Sequence, residues 1–261
     1  MTEKVWTTCE GRGPVVATAI HDGHEVRDEV LRLMAIREAD RLREEDPFTG
    51  RWTAVAPTRI IGTRSRFEVD LNRLRETAVY RTPDDAWGLE VWKSPPPEEM
   101  IERSLGNYDA FYAELDRLYG SLVRQNGRIL VLDLHTYNHR RDGPDGPVAD
   151  PAGNPQVNVG TGTMPDRTRW AGLIDRFMEE LTAHDFPGGR LDVRENVRFR
   201  GGACAKWAHH RFPDSACVLS IEVKKFFMDE WTGRPDETLV AAVGSALAAV
   251  VPGALDELIR A

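Results

Sequence analysis

Three short and nearly uninterrupted apolar runs constrain the fold of this chain more than any other feature of the sequence. The runs are residues 15–20 (VVATAI), 129–134 (ILVLDL) and 217–223 (CVLSIEV). Such runs are typical of strands in a parallel sheet that is covered on both faces, because neither side of such a strand meets water. Segments with apolar residues at helical spacing lie between and after them, at 26–43, 97–125, 167–183 and 236–260. The alternation predicts an α/β fold with a mainly parallel sheet and helices on both faces.

The length, charge and N-terminus narrow the class of protein. At 261 residues the chain can bury one large core, and no linker divides it, so we expect a single domain over residues 1–261. The net charge of −8 argues against nucleic acid as a partner, since nucleic-acid-binding proteins usually present a basic face. We expect no apolar run of the ~18 residues that a membrane span needs, and the N-terminus lacks the apolar stretch of a signal peptide. A cytoplasmic protein is the simplest interpretation, and the oligomeric state stays open.

Other segments complete the expected architecture. Short strands are predicted at 60–61 and 67–71, on either side of Gly62. The helix at 26–43 should stop at the sequence Glu-Glu-Asp-Pro that follows it, because proline disfavours a helical residue before it. Residues 140–166 are rich in Gly, Pro and Asp. This long loop, with a short strand at 157–159, is interpreted as a lid or binding loop.

Two histidines follow predicted strands, at the edge where open α/β sheets bind ligands. His21 follows the first apolar run, and His135 follows the run ILVLDL. Ligands bind outside the carboxyl ends of the strands in such sheets, and imidazole is a good zinc ligand. A structural or hydrogen-bonding role for each histidine is the alternative. Asp133 lies two residues before His135 on the same strand face, where it would either orient that imidazole or be a solvated strand end.

Glu222 interrupts the last apolar run, between Ile221 and Val223. Burial of a carboxylate in a strand costs several kcal/mol unless the group is paired or coordinated, so a glutamate there is more often functional than incidental. Burial would raise its pKa, which suits a general base acting near neutral pH. The alternative is an ion pair with Lys224 or Lys225, two residues that otherwise read as a solvated strand exit.

A fourth feature is the run SRFEVDLNR at residues 65–73. Arginine binds carboxylates through two parallel hydrogen bonds, and an adjacent asparagine adds a donor, although an isolated Asn-Arg pair is usually a surface feature. The run closely resembles the SRF-x-VDLNR signature of the N-formylglutamate amidohydrolase family. Other segments resemble motifs of that family in the same order: His21-Asp22-Gly23, Asp133-Leu134-His135-Thr136, Asn196 with Phe199, Gly201 and Gly202, and Glu222 with Met228-Asp229-Glu230.

The resemblance implies a zinc site. The family is similar in fold to the zinc carboxypeptidases, whose α/β fold has a mixed sheet, and by resemblance His21 and His135 would bind one zinc ion. The carboxypeptidase pattern H-x-x-E is absent, because His24 stands where the glutamate would be. In the family an acidic segment follows the first helix, and Asp46 lies at the equivalent place. Asp46 is therefore the expected third ligand, with Glu45, His24 and Glu25 as alternatives in that order.

The same resemblance implies how an amide bond would be hydrolysed. Glu222 would activate a water molecule, Arg66 would polarise the scissile carbonyl and hold the oxyanion, and Asn72 and Arg73 would bind a substrate carboxylate. The expected reaction is zinc-dependent cleavage of a small N-acyl amino acid, with N-formylglutamate as a candidate substrate. Cleavage of the C-terminal residue of a small peptide would use the same residues. A binding protein that keeps the metal without turnover is a third hypothesis, motivated by the missing H-x-x-E.

Overall fold

A computed structural model describes residues 4–261 of the chain. These residues form a seven-stranded sheet, with the strands in the order β1-β3-β2-β4-β7-β5-β6. The strands are β1 (Trp6–Cys9), β2 (Val15–Ala19), β3 (Thr58–Gly62), β4 (Ile129–Tyr137), β5 (Val157–Gly160), β6 (Val193–Glu195) and β7 (Ala216–Lys224). The α-helices are α1 (Asp28–Leu33), α2 (Glu38–Glu44), α3 (Thr49–Trp52), α4 (Glu98–Asn126), α5 (Ala171–Ala183), α6 (Ala203–Arg211) and α7 (Glu237–Arg260).

The sheet is mixed and mainly parallel. The four strands β3, β2, β4 and β7 are mutually parallel and occupy its middle. Strand β1 runs antiparallel to β3 at one side, and β5 runs antiparallel to β7 at the other, with β6 parallel to β5. The predicted α/β fold with a mixed, mainly parallel sheet is confirmed. Strand β4 lies between two neighbours and is buried throughout, which explains its continuous apolar run.

Each face of the sheet has its own apolar core, because successive residues of a strand point to opposite sides. On one face, Leu130, Leu132 and Leu134 of β4 pack with buried residues of α5 and α7. On the other face, Ile129 and Val131 of the same strand pack with buried residues of α4 and α6. On this second face, polar residues replace the apolar ones further along β4, at Asp133 and His135.

Helix α4 illustrates how local sequence sets the limits of a long element. Glu98 and Glu99 stand in its first turn, where negative charge is favourable beside the partial positive charge of a helix N-terminus. The helix ends before Gly127, whose φ of 79° suits glycine because no side chain opposes it. The helices predicted at 97–125, 167–183 and 236–260 correspond to α4, α5 and α7.

The helix predicted at 26–43 is two helices, α1 and α2. The chain leaves α1 at Met34, which is extended and buried. The amides of Ala35 and Ile36 then donate to the carbonyl of Val91. A neighbouring segment therefore takes the backbone donors that a continuous helix would use, and apolar spacing along one segment cannot reveal this.

Residues 67–71 form turns, so the strand predicted there is wrong. The amides of Glu68 and Val69 both approach the carbonyl of Ser65, and the amide of Asp70 donates to the carbonyl of Ala78. Glu68 and Asp70 are buried together with their apolar neighbours, so the alternation of charge in this run does not mark a solvent-facing side. Strand β4, in turn, is longer than predicted and contains His135 instead of ending before it.

Helix α7 is long and apolar enough to cross a membrane by length and composition, with an 18-residue window of mean hydropathy 2.0. The expectation that no apolar run reaches this length is therefore wrong. In the structure, 39% of that window is buried. Val243, Leu247 and Val250 of α7 pack in the core on one face of the sheet. A core helix of this kind meets the same length and composition criteria as a membrane span, so the finding is weak evidence for a membrane.

Glu230 connects helix α2 to the loop that follows β4. Its carboxylate accepts hydrogen bonds from the amides of His139 and Arg140, at 2.8 and 3.0 Å, and from the guanidinium of Arg43 at 2.9 Å. Burial alone would raise the pKa of Glu230, but the bonds from His139, Arg140 and Arg43 lower it to about 2. The ionised carboxylate is thus favoured in the folded protein.

Glu230→Gln should lower the free energy of unfolding at pH 7 by about 3 kcal/mol, because one pKa unit corresponds to about 1.4 kcal/mol. The folded-state pKa is depressed, so this contribution is complete above the ordinary value of 4.5 and is lost as the pH falls towards 2. Urea unfolding of both proteins between pH 7 and pH 3 measures the difference, with exposed Glu90→Gln as the control. Equal stabilities of Glu230→Gln and the natural protein at pH 7 would contradict the assignment.

Candidate active site

Polar residues replace apolar ones at the carboxyl ends of the central strands, on the face that α4 and α6 cover. Along β4 the inward sequence on this face is Ile129, Val131, Asp133 and His135. Across the sheet, His135 is paired with Glu222 of β7. The same pairing places Asp133 between Thr18 of β2 and Ser220 of β7, and Thr18 donates to the Asp133 carboxylate at 2.7 Å. The sheet register therefore collects polar groups that are distant in sequence.

Three potential metal ligands meet at this end of the sheet. His21 follows β2, His135 lies in β4, and Asp46 comes from the turn after α2. The Asp46 carboxylate oxygen Oδ2 lies 3.3 Å from Nδ1 of His21 and 3.0 Å from Nδ1 of His135. One donor atom from each residue lies within 4.8 Å of the other two, and all three residues are buried. The predicted ligands His21, Asp46 and His135 are thus brought together.

The second nitrogen of each imidazole has its own carboxylate partner. Nε2 of His21 lies 2.8 Å from Asp70, and Nε2 of His135 lies 3.2 Å from Asp133. Metal-binding histidines generally hold a carboxylate or carbonyl at the nitrogen that does not face the metal, which orients the ring. Both Nδ1 atoms are therefore directed at the oxygen of Asp46. This donor set fits a divalent metal ion.

The electrostatics of the cluster also favour a cation. Burial alone would lower the pKa of His135, but the carboxylates of Asp133, Asp46 and Glu222 raise it well above its usual range. The pKa of Asp70 is likewise well below its usual range, since Arg66 and His21 outweigh the effect of burial. Several carboxylates thus surround two imidazoles, and these carboxylates would stabilise a bound cation.

The alternatives for the third ligand lie elsewhere. The carboxylate of Glu45 turns away from the imidazoles towards the hydroxyl of Ser65 and the guanidinium of Arg41, at 3.1 Å from the latter. Its burial raises its pKa to about 7. His24 and Glu25 are outside the cluster of donor atoms. Of the four acidic or imidazole side chains considered from the sequence, Asp46 alone joins the two histidines.

Glu222 lines the same pocket, beside His135. Burial raises the pKa of its carboxyl group to about 8. The two lysines that follow it bond elsewhere: Lys224 donates to the carbonyl of Asn154, and Lys225 donates to the carbonyl of Glu45. Lys225 is buried, so the interpretation of both lysines as a solvated strand exit is wrong for Lys225.

Arg66, Asn72 and Arg73 line the pocket from the turns that follow β3. The guanidinium of Arg66 donates to Asp70 at 2.7 Å, and Tyr80 donates to the same carboxylate. The side-chain oxygen of Asn72 accepts from the amide of Cys204 at 3.0 Å.

Two aromatic rings and one glycine shape this side of the pocket. The guanidinium of Arg73 lies 5.6 Å from the centre of the Tyr80 ring and 5.8 Å from that of Trp87, and this side chain is 37% exposed. A side chain at Gly202 would place its Cβ 2.2 Å from the Asn72 oxygen. Glycine at position 202 therefore lets α6 begin against the side chain of Asn72.

The pocket has a volume of about 370 Å³ and a cationic lining. Among the described residues, six cationic side chains line it, compared with three carboxylates. Arg66 and Arg73 come from the β3 side of the sheet, and Arg198 and Arg200 follow β6 at the other side. Arg141, in the long loop after β4, also lines it. The sequence reasoning missed Arg141, Arg198 and Arg200. The usable signal was that Arg141 lies in the predicted binding loop, and that Arg198 and Arg200 lie among the family-like residues between Asn196 and Gly202.

Comparison with known proteins identifies the family. The model of the N-formylglutamate amidohydrolase family matches residues 13–228. The chain belongs to the N-formylglutamate amidohydrolase family. This is a family of hydrolases that act on amide bonds, and the predicted resemblance to this family is confirmed. A comparison with curated proteins finds no match.

Solved structures agree with the family assignment. N-formylglutamate amidohydrolase from Ralstonia eutropha JMP134 superimposes with a TM-score of 0.76 at 16% identity, over 98% of each chain. A gene product of Agrobacterium tumefaciens superimposes with a TM-score of 0.67 at 16% identity, over 98% of this chain and 96% of the other. At this identity the likeness shows that the fold is shared. A metallo-carboxypeptidase from Burkholderia cenocepacia gives a TM-score of only 0.39, at 17% identity over 93% of this chain and 56% of the other.

His135→Ala should abolish stoichiometric binding of a divalent metal ion, because it removes one of the three clustered donors. Metal content after dialysis, measured by inductively coupled plasma mass spectrometry, should be about one ion per natural chain and near zero for the variant. His24→Ala is the matched control, since His24 is an exposed histidine outside the cluster. Retention of a full equivalent of metal by His135→Ala would exclude the site.

Proposed function

We propose that this protein is a zinc-dependent amidohydrolase that cleaves the amide bond of an N-acyl amino acid, with N-formylglutamate as the first substrate to test. The observation that supports it most directly is the buried cluster of His21, Asp46 and His135 beside Glu222, in the pocket of a chain from this family. Two imidazoles and one carboxylate are a donor set that zinc commonly takes in hydrolases, with one position left for water or substrate. The proposed setting is the cytoplasm, with a small carboxylate as the partner.

A zinc ion in this cluster would supply Lewis acidity, which polarises a carbonyl and lowers the pKa of water. Glu222 accepts the proton of the attacking water and then delivers it to the leaving nitrogen. Its pKa of about 8 without a cation reflects burial, and a nearby positive charge favours the carboxylate that a base requires. Its pairing with His135 across the sheet keeps it beside a proposed metal ligand.

Arg66 is positioned to stabilise the negative charge that develops on the carbonyl oxygen. Its guanidinium is held by Asp70, with Nε at 3.2 Å and Nη2 at 2.7 Å, and the same residue orients His21. A donor that is already in place requires no reorganisation during the reaction, and one such donor typically contributes ~3–4 kcal/mol. The ion pair with Asp70 thus links the charge-stabilising group to a proposed metal ligand.

Asn72 and Arg73 bind a substrate carboxylate in this proposal, and the opposite side of the pocket favours a second one. The side chain of Arg73 is 37% exposed, compared with 14% for Arg66, which leaves its guanidinium accessible to a substrate carboxylate. Arg198 and Arg200 line the β6 side. An amino acid with a side-chain carboxylate, such as glutamate, would be complementary to cations on both sides.

Two alternatives compete with this proposal: a carboxypeptidase that cleaves small peptides, and a binding protein without catalytic activity. A carboxypeptidase would use the same residues, so hydrolysis of N-formylglutamate is compared with that of short peptides with free and amidated C-termini. The amidohydrolase is supported if the N-acyl amino acid is hydrolysed with a kcat/KM well above that of any peptide. Protein that holds one zinc ion and hydrolyses nothing in this panel would instead be an inactive, ligand-binding homologue.

Glu222→Gln should retain zinc and lose turnover, because glutamine keeps the shape of the side chain but cannot accept the water proton. General base catalysis typically contributes 10²–10⁴-fold, so kcat should fall by roughly that factor. Metal analysis and initial rates on the same preparation separate the two effects. A rate near that of the natural protein would exclude Glu222 as the base.

Arg73→Ala should raise KM for N-formylglutamate by about 10–100-fold, because a hydrogen bond between charged groups contributes about 1.5–3 kcal/mol. The loss should be much smaller for an analogue whose α-carboxylate is replaced by a carboxamide. Arg75→Ala is the matched control, since Arg75 pairs with Asp109 on the surface at 2.8 Å. An unchanged KM for the acid would exclude Arg73 as the carboxylate ligand.

A further inference from the structure

Lys225 is a buried cation at the wall of the candidate site. It lies three residues after Glu222, is 1% exposed and lines the same pocket. Lysine is almost never fully buried without a partner, because removing its charge from water is costly. Burial lowers the pKa of its ammonium group to about 8. A lysine buried at this position therefore requires hydrogen-bond partners that compensate for its lost hydration.

The ammonium group of Lys225 holds the end of helix α2. It donates to the carbonyl of Arg43 at 2.6 Å and to the carbonyl of Glu45 at 2.8 Å. The last carbonyls of a helix have no partner within the helix and carry partial negative charge, so a cation there is favourable. The two bonds flank Glu44 and precede Asp46, so they fix the turn from which the carboxylate donor emerges.

This turn is the least constrained source of the three donors. His135 lies in the middle of the sheet and His21 directly follows a strand, whereas Asp46 belongs to a turn. The amide of Asp46 donates to the carbonyl of His21 at 2.9 Å, and Thr136 donates to its Oδ1 at 3.1 Å. Lys225 adds the connection between the turn and β7, the strand that carries Glu222.

We propose that Lys225 is a positioning residue that holds the turn at residues 44–47 against the end of β7, so that the Asp46 carboxylate stands between the two imidazoles before a metal ion binds. Lys225 thereby raises metal affinity without touching the metal. The inference rests on the proposed metal-dependent function, and it assigns this lysine to assembly of the site, with no part in proton transfer.

The test is zinc affinity in Lys225→Met, which keeps the length and apolar stem of the side chain and removes the donor. Competition with a chromophoric chelator should show the dissociation constant for Zn²⁺ rising by about 10–100-fold, the usual effect of losing a group that supports a metal ligand. Lys225→Arg, which still donates, should show a smaller rise. The adjacent Lys224→Met is the control, because Lys224 donates to the carbonyl of Asn154, away from the turn. An unchanged dissociation constant in Lys225→Met would overturn the proposal.

Hydrogen exchange of the natural protein gives a second test that does not depend on the folding of a variant. The amides of residues 44–46 should be protected in the metal-free protein and gain little protection when zinc is added, because the turn is already held. A turn that exchanges freely without zinc and becomes protected only with it would overturn the proposal. Zinc binding that depends on Lys225 in a protein without hydrolytic activity would leave the positioning role intact and refute the proposed function, so the two can fail separately.

Discussion

The carboxylate of Asp46, placed between the imidazoles of His21 and His135, is the interaction on which the rest of the site depends. Its Oδ2 is within 3.3 Å of one ring nitrogen and 3.0 Å of the other, although the three residues come from three separate parts of the chain. The parallel middle of the sheet brings the two histidines to one edge. A turn after α2 must then supply the third donor, and the buried ammonium group of Lys225 donates to carbonyls on both sides of Glu44, where that turn begins.

The buried ion pairs around the two histidines contribute both to the stability of the fold and to the geometry of the proposed site. Asp70 pairs with His21 and Arg66, so it orients a proposed metal ligand and a proposed oxyanion donor together. Asp133 likewise pairs with His135 and orients its imidazole. Each carboxylate would be costly to bury alone, and each is compensated by a cation or an imidazole. Replacement of one member therefore leaves its partner buried and unpaired, which makes the site a cooperative unit.

The family match and the solved structures agree on the fold. The family model spans residues 13–228, which includes every residue proposed to bind the metal, catalyse the reaction or bind the substrate. A shared fold at 16% identity over 98% of both chains shows how little overall sequence likeness that fold requires. The cationic side chains on both sides of the pocket would be complementary to the acidic substrate that we propose.

The strands were predictable because a strand buried on both faces needs an apolar run, and this requirement is local. The central strands could be recognised in the sequence for that reason, and so could His21, His135 and Glu222, which end or interrupt their apolar runs. Helix α4 could be recognised from its apolar spacing, and the family motifs from their residues. The turns at 67–71, the break between α1 and α2, and the burial of Lys225 could not, because each depends on a carbonyl or carboxylate supplied by another segment. The sequence by itself determined which residues were candidates for metal binding and catalysis. Only the tertiary structure decided that Asp46, and neither Glu45 nor His24, meets the imidazoles, because long-range hydrogen bonds set the direction of a turn.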